Sequence, residues 1–132
     1  QNQVFIEMFG PPGEWKPEHI SLADCADAMV IAPCTANVIG KIANGISDDL
    51  LTSTAMACSV PLVIAPAMNE KMWDNPAVQV NVKLLKSRGV KVLDVAEGEL
   101  ACGTHGKGRM MEPAAIMKVL DGIFRSKGDK GA

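Results

Sequence analysis

The sequence predicts an α/β fold, a parallel sheet covered by helices on both faces, and three observations carry that prediction. Short apolar runs, ADAMVIA at 26–32 and VPLVIA at 60–65, alternate with longer segments of helical spacing. Both runs lack the apolar-polar alternation of a half-exposed strand, so they read as strands buried on both faces. Both also stop at a proline, Pro33 or Pro66, and open into a small or polar segment. Strands alternating with helices imply right-handed crossovers. Ligands of such sheets bind beyond the carboxyl ends of the strands.

In chain order, Gln3 to Phe9 reads as a strand, broken by Gly10-Pro11-Pro12-Gly13. A short helix over His19 to Cys25 is expected, opened by Pro17 and Glu18. After the 26–32 strand, a helix over about Ala36 to Ala43 ends at Asn44-Gly45, a common helix stop. A second helix is expected behind Ser47 as N-cap, with Asp48 and Asp49 in its first turn, running to about Cys58. Beyond the 60–65 strand, Val78, Val82 and Leu85 lie at helical spacing within Pro76 to Arg88, and Gly89 closes that helix. Val90 to Val95 reads as a strand and Glu97 to Met111 as a glycine-dense loop. Pro113 to about Arg125 is an amphipathic helix, followed by a polar tail, Ser126 to Ala132, expected to be disordered. Residues 1–125 are therefore read as one domain.

With 132 residues, 48% apolar and 21% charged, the chain is an ordinary globular domain with a sizeable core. Net charge is -2, and no basic run is dense enough to suggest nucleic acid. No apolar run reaches the roughly 18 residues of a membrane span, and no signal-peptide pattern opens the chain. Four cysteines, Cys25, Cys34, Cys58 and Cys102, lie far apart without a CxxC pair, which favours reduced thiols in a cytoplasmic protein. Cys25, Cys34 and Cys58 fall on apolar faces and read as small core residues.

The two proline-ended strands share a form, IAP-CTANV and IAP-AMNEKMW. At the first, backbone amides, the Thr35 hydroxyl and the Asn37 amide gather at a helix start, a setting that favours phosphate. Plain N-capping by Thr35 or Asn37 is the competing reading. At the second, Met68, Asn69, Met72 and Trp73 cluster past the strand end, where Asn69 can cap the next helix and the large apolar groups can simply be core. Cys102 and His105 form a C-x-x-H spacing, half of a zinc site, but no second ligand pair has matching spacing, so no metal is expected.

His19, then IAPCTANVIGKIANGISDDLL, then PAMNEKMW, then GELACGTHGKGRM occur in an order and spacing that resembles the flavin-dependent cysteine decarboxylases. Within them the likeness is greatest to the phosphopantothenoylcysteine decarboxylases of coenzyme A biosynthesis, and it extends from about His19 to Met111. The resemblance implies a Rossmann-like, flavodoxin-like three-layer sheet and FMN as cofactor. It implies His19 for the oxidative decarboxylation, Asn69 on the substrate carboxylate, and Cys102 as proton donor in the final reduction. It also implies FMN contacts at Thr35, Ala36, Asn37, Val38 and Ala67, and substrate contacts at Met72, Leu100 and Ala101.

The implied chemistry has a physical rationale. Loss of CO2 from an ordinary amino-acid-derived carboxylate leaves an unstabilised carbanion, so an electron sink is required. By resemblance, oxidation of the substrate thiol to a thioaldehyde supplies that sink, and the resulting enethiolate is reduced to 4'-phosphopantetheine. A thiol of pKa about 8.5, near Lys107 and Arg109, suits the proton delivery, and a histidine titrating near neutrality suits proton movement.

Two departures from the family pattern stand out. Its P-x-S-A-N-T is Pro33-Cys34-Thr35-Ala36-Asn37-Val38 here, so one hydroxyl survives and one is lost. The chain opens on Gln1-Asn2 without methionine, and the family's phosphate-gripping strand-loop-helix-strand is expected to lie upstream of Val4. By resemblance the assembly is a homotrimer, or a larger assembly of trimers, with sites between subunits. Two alternatives remain open: a non-catalytic or regulatory flavoprotein subunit of the same fold, and a peptidyl-cysteine decarboxylase, against which Cys102 argues.

Overall fold

The computed structural model describes residues 26–99 and 105–130. The expected strand at Gln3 to Phe9 and the helix at His19 to Cys25 lie outside the described residues. The elements are β1 (Met29–Cys34), α1 (Ala36–Ala43), α2 (Leu50–Ala57), β2 (Leu62–Pro66), α3 (Glu70–Trp73), α4 (Pro76–Ser87), β3 (Lys91–Val92), β4 (Ala96–Glu99), β5 (His105–Arg109) and α5 (Pro113–Lys130).

Among the described residues the main sheet is three-stranded and parallel, in the order β1-β2-β3. Val63, Ile64, Ala65 and Pro66 of β2 are all buried, as a strand between two helical layers must be. Its side chains alternate between two cores. Ile64 joins Ile31, Cys34, Ile39, Ala43, Ala55, Val82, Leu85 and Val92 on the face covered by α1, α2 and α4. Val63 and Ala65 join Leu93 and Ile116 on the face covered by α5. Full burial of one such aliphatic side chain is worth about 1.5–3 kcal/mol, so the apolar pattern of β2 holds both layers at once.

Local chemistry sets the helix boundaries. The Thr35 hydroxyl accepts the Val38 amide at 3.3 Å and starts α1 where the sequence placed it. Helix α4 starts at Pro76 behind Asn75, whose side chain accepts the Ala77 amide at 2.9 Å. It ends before Gly89, which takes a φ of +88° that an L side chain rarely adopts. The Arg88 guanidinium donates to the Ala43 carbonyl at 2.8 Å, joining the carboxyl ends of α4 and α1.

Several expected boundaries are corrected. Helix α2 is capped by Asp49, not Ser47, through a reciprocal capping box. The Asp49 carboxylate accepts the Thr52 amide at 2.7 Å and the Thr52 hydroxyl faces the Asp49 amide at 3.3 Å. Asp48 instead pairs with Lys41 at 3.0 Å, and the Ser47 carbonyl accepts the Ser53 hydroxyl at 3.3 Å. Ala32 and Pro33 of β1 are exposed, so this strand is not buried along its whole length. The strand expected over Val90 to Val95 pairs only at Lys91–Val92. The largest difference falls within Glu97 to Met111, expected as a loop: among the described residues β4 and β5 pair antiparallel, with Ala96 opposite Arg109 and Glu99 opposite His105. Finally, α5 continues to Lys130, past the Arg125 at which the polar tail was expected to begin. No helix among the described residues is long and apolar enough to cross a membrane.

Candidate functional site

Strands β1 and β2 end side by side. Cys34 stands opposite Pro66, and the Ala67 amide donates to the Cys34 carbonyl at 3.0 Å. This bond carries the parallel pairing one residue past β2 and sets Ala67 beside the start of α1. Thr35 to Val38, the start of α1, thus follow directly on the residue to which Ala67 is bonded. The Val38 amide is taken by Thr35, while Ala36 and Asn37 occupy the first turn, where amides have no intrahelical acceptor. The helix-start amides and the Thr35 hydroxyl form an uncharged donor set, which fits the phosphate or ribityl end of a flavin.

The turn after β2 has its own construction. The Asn69 side chain accepts the Lys71 amide at 2.7 Å and the Met72 amide at 3.4 Å, so it caps the single turn of α3. The capping expectation is met, and Asn69 remains exposed. Met72 is also exposed, whereas Trp73 and Met68 pack against the core beneath. The Gln79 amide donates to the Trp73 carbonyl at 2.5 Å and ties α3 to α4.

Strand β5 lies across this turn. Gly108 accepts the Met68 amide at 2.8 Å on its carbonyl. A methyl on Gly108 would overlap the Met68 carbonyl oxygen, and one on Gly106 would overlap the Glu70 carboxylate. The sequence reading missed both glycines because their density suggested a loop. Their alternation, at every second residue of HGKGR, is the strand signal that was present.

Burial takes Cys34 out of acid–base work at neutral pH. Burial pushes its thiol up to about 12, so it stays protonated and inert at neutral pH. Cys34 is a core residue as expected, and Cys58 is half-buried with its sulfur 3.6 Å from the Val60 carbonyl. His19, Leu100, Ala101 and Cys102 lie outside the described residues, as does Cys25. A cavity of about 760 Å³, lined by residues including Ser59, Lys91, Val119 and Ile123, opens near the amino ends of β2 and β3. It lies at the opposite end of the sheet from Thr35 and Asn69, so topology favours the strand-end site.

The description of the Flavoprotein family matches residues 2–125. The chain belongs to that family. It is 46% identical over 124 residues to the coenzyme A biosynthesis bifunctional protein CoaBC of Bacillus subtilis, covering 94% of this chain and 30% of that protein. Among solved structures it resembles a PPC decarboxylase variant in complex with pantothenoylaminoethenethiol, at TM-score 0.83 and 37% identity. That match covers 89% of this chain and 65% of the other. The FMN binding protein AtHal3 matches at TM-score 0.77 and 38% identity, covering 90% of this chain and 65% of the other. The flavodoxin-like sheet with helices on both faces is thus the fold of this Flavoprotein chain, and the likeness to phosphopantothenoylcysteine decarboxylases read from the sequence holds. The chain spans about a third of the CoaBC length.

Proposed function

We propose that this Flavoprotein chain is the FMN-binding module of a decarboxylase that converts 4'-phosphopantothenoylcysteine to 4'-phosphopantetheine. The observation that carries the proposal is the Ala67-to-Cys34 hydrogen bond, which sets the Thr35 helix start and the Asn69 turn side by side at one edge of the sheet. One segment then has the donors for a flavin and the other an exposed amide for a carboxylate. CoaBC and the PPC decarboxylase structure support the same substrate class, and AtHal3 supports FMN.

When bound, FMN supplies a two-electron acceptor and donor. The chain's own residues do the rest. Thr35 to Val38 and Ala67 hold the cofactor against the strand ends. Asn69 orients the substrate carboxylate, with Met72, Leu100 and Ala101 around it, so that CO2 leaves from a fixed geometry. His19 moves the proton in the oxidative half, and Cys102 donates one to the enethiolate in the reductive half. We place the domain at residues 1–125 and the protein in the cytoplasm. We assign it to a homotrimer or an assembly of trimers, for which Ile46, Leu51 and Met56 offer exposed apolar surface.

The test is to load the purified protein with FMN and supply phosphopantothenoylcysteine. CO2 and 4'-phosphopantetheine in equal amounts are expected. Flavin binding without CO2 would overturn the decarboxylase reading in favour of a non-catalytic flavoprotein subunit. In Cys102→Ser, CO2 release persists while an oxidised enethiol product accumulates. Normal phosphopantetheine from that variant would remove Cys102 from its role.

A further inference from the structure

Three consecutive residues of the strand-end turn, Met68, Asn69 and Glu70, are contacted or crowded by two glycines of β5. The Gly108 carbonyl takes the Met68 amide at 2.8 Å. A methyl at Gly108 would also lie 3.1 Å from the Met68 carbonyl carbon and 3.4 Å from that of Asn69, and its φ of +126° is one that L side chains rarely adopt. At Gly106 the obstacle is different in kind. A methyl there would lie 3.0 Å from the carboxyl carbon of Glu70, in addition to overlapping its oxygen. One glycine faces backbone and the other faces a side chain that can move.

We propose that Gly108 is a positioning residue that lets β5 act as a template for the Met68–Glu70 turn and so aims the Asn69 amide at the substrate carboxylate. The inference rests on the reading of Asn69 given above. The Asn69 oxygen is held by the Lys71 and Met72 amides, so the direction of its side chain follows the backbone of the turn. That backbone is in turn held by Gly108. A shift of the strand by part of an ångström therefore reorients the amide without removing it, and misplacement on that scale is costly in catalysis.

The test uses the FMN-loaded protein and the variants Gly108→Ala and Gly106→Ala. Gly108→Ala is expected to raise KM for the carboxylate substrate about tenfold, equivalent to about 1.4 kcal/mol, while kcat, flavin content and inhibition by the decarboxylated thiol product stay near wild type. Gly106→Ala, whose methyl meets only the movable end of the Glu70 side chain, leaves KM near wild type. Equal weakening of substrate and product in Gly108→Ala, or the same loss in Gly106→Ala, overturns the proposal in favour of a merely structural role. Because Gly108→Ala meets backbone, a second readout is hydrogen exchange at the Met68 amide without substrate. Protection in wild type and its loss in the variant are expected, and retained protection overturns the template. A wild-type protein that releases no CO2 marks failure of the decarboxylase reading, and the exchange measurement then decides the template by itself.

Discussion

The Ala67 amide, one residue beyond the Cys34–Pro66 pair that ends the ladder of β1 and β2, meets the Cys34 carbonyl at 3.0 Å. The parallel ladder thus extends into the segment that carries the candidate ligand groups, and rigid sheet geometry reaches the site itself. Each of the following expectations tests a part of that arrangement.

Thr35→Ala removes the acceptor of the Val38 amide. Loss of an N-cap of this type costs about 1 kcal/mol, read as a lowered midpoint in urea. Because the same turn faces the candidate cofactor site, weaker FMN binding should accompany it in a flavin fluorescence titration. Unchanged flavin affinity would move the cofactor away from α1.

Leu85→Ala should be among the most damaging single changes. Leu85 is 1% exposed and packs with Ile39, Ile64 and Val82, and leucine-to-alanine changes in such cores cost about 2–5 kcal/mol. Chemical denaturation measures it, and a loss under 1 kcal/mol would show that the α4 face is loosely packed.

The capping box of α2 carries a pH dependence. Side-chain and then backbone hydrogen bonds from Thr52 hold the Asp49 carboxyl below its ordinary range. A depressed carboxyl stabilises the fold above its unfolded pKa, and that contribution fades as pH falls through the folded value. Asp49→Asn should therefore flatten the acid limb of stability against pH, while a wild-type acid limb left unchanged by the substitution would assign it to other groups.

Cys34 gives the opposite limb. Burial raises its thiol from the usual value of about 9 to about 12. The unfolded chain loses this proton first, so between those values the folded state binds more protons and stability falls as pH rises. Replacing Cys34 by Ala should remove that slope in thermal melts from pH 8 to 11, at the cost of a small cavity.

Gly122→Ala should stabilise. Gly122 sits inside α5, and a methyl there meets nothing within 4 Å. Alanine is favoured over glycine in a helix interior by about 1 kcal/mol, so the melting point should rise; a fall would mean that this face of α5 is covered in the working protein.

The parts of the fold that were legible in the sequence are those governed by one dominant local signal. Helix α1 begins and ends at the residues expected because a polar cap and Asn44-Gly45 bracket a clear apolar stripe. Strand β2 is buried along its apolar run because both of its faces meet helices. The start of α2 was misread since Ser47, Asp48 and Asp49 all suit a cap, and only Thr52, able to return the hydrogen bond, singles out Asp49. The hairpin was hidden for a different reason. Glycine is a loop signal by propensity, and the use of Gly106 and Gly108 for close approach depends on Met68 and Glu70, nearly forty residues away in sequence. The candidate site divides in the same way. Its strand-end residues were visible as motifs, while the strand that lies on Asn69 needed the tertiary structure.

The alternation of glycine in β5 also limits how this stretch can change over evolutionary time. Gly108 is closed to side chains by the backbone beneath it, and at Gly106 the Glu70 side chain must first swing away, so variation accumulates most readily at His105, Lys107 and Arg109. A saturation library over residues 105–109 should give a comb of intolerant and tolerant positions. New substrate preferences selected in this strand should then arise only from the tolerant teeth.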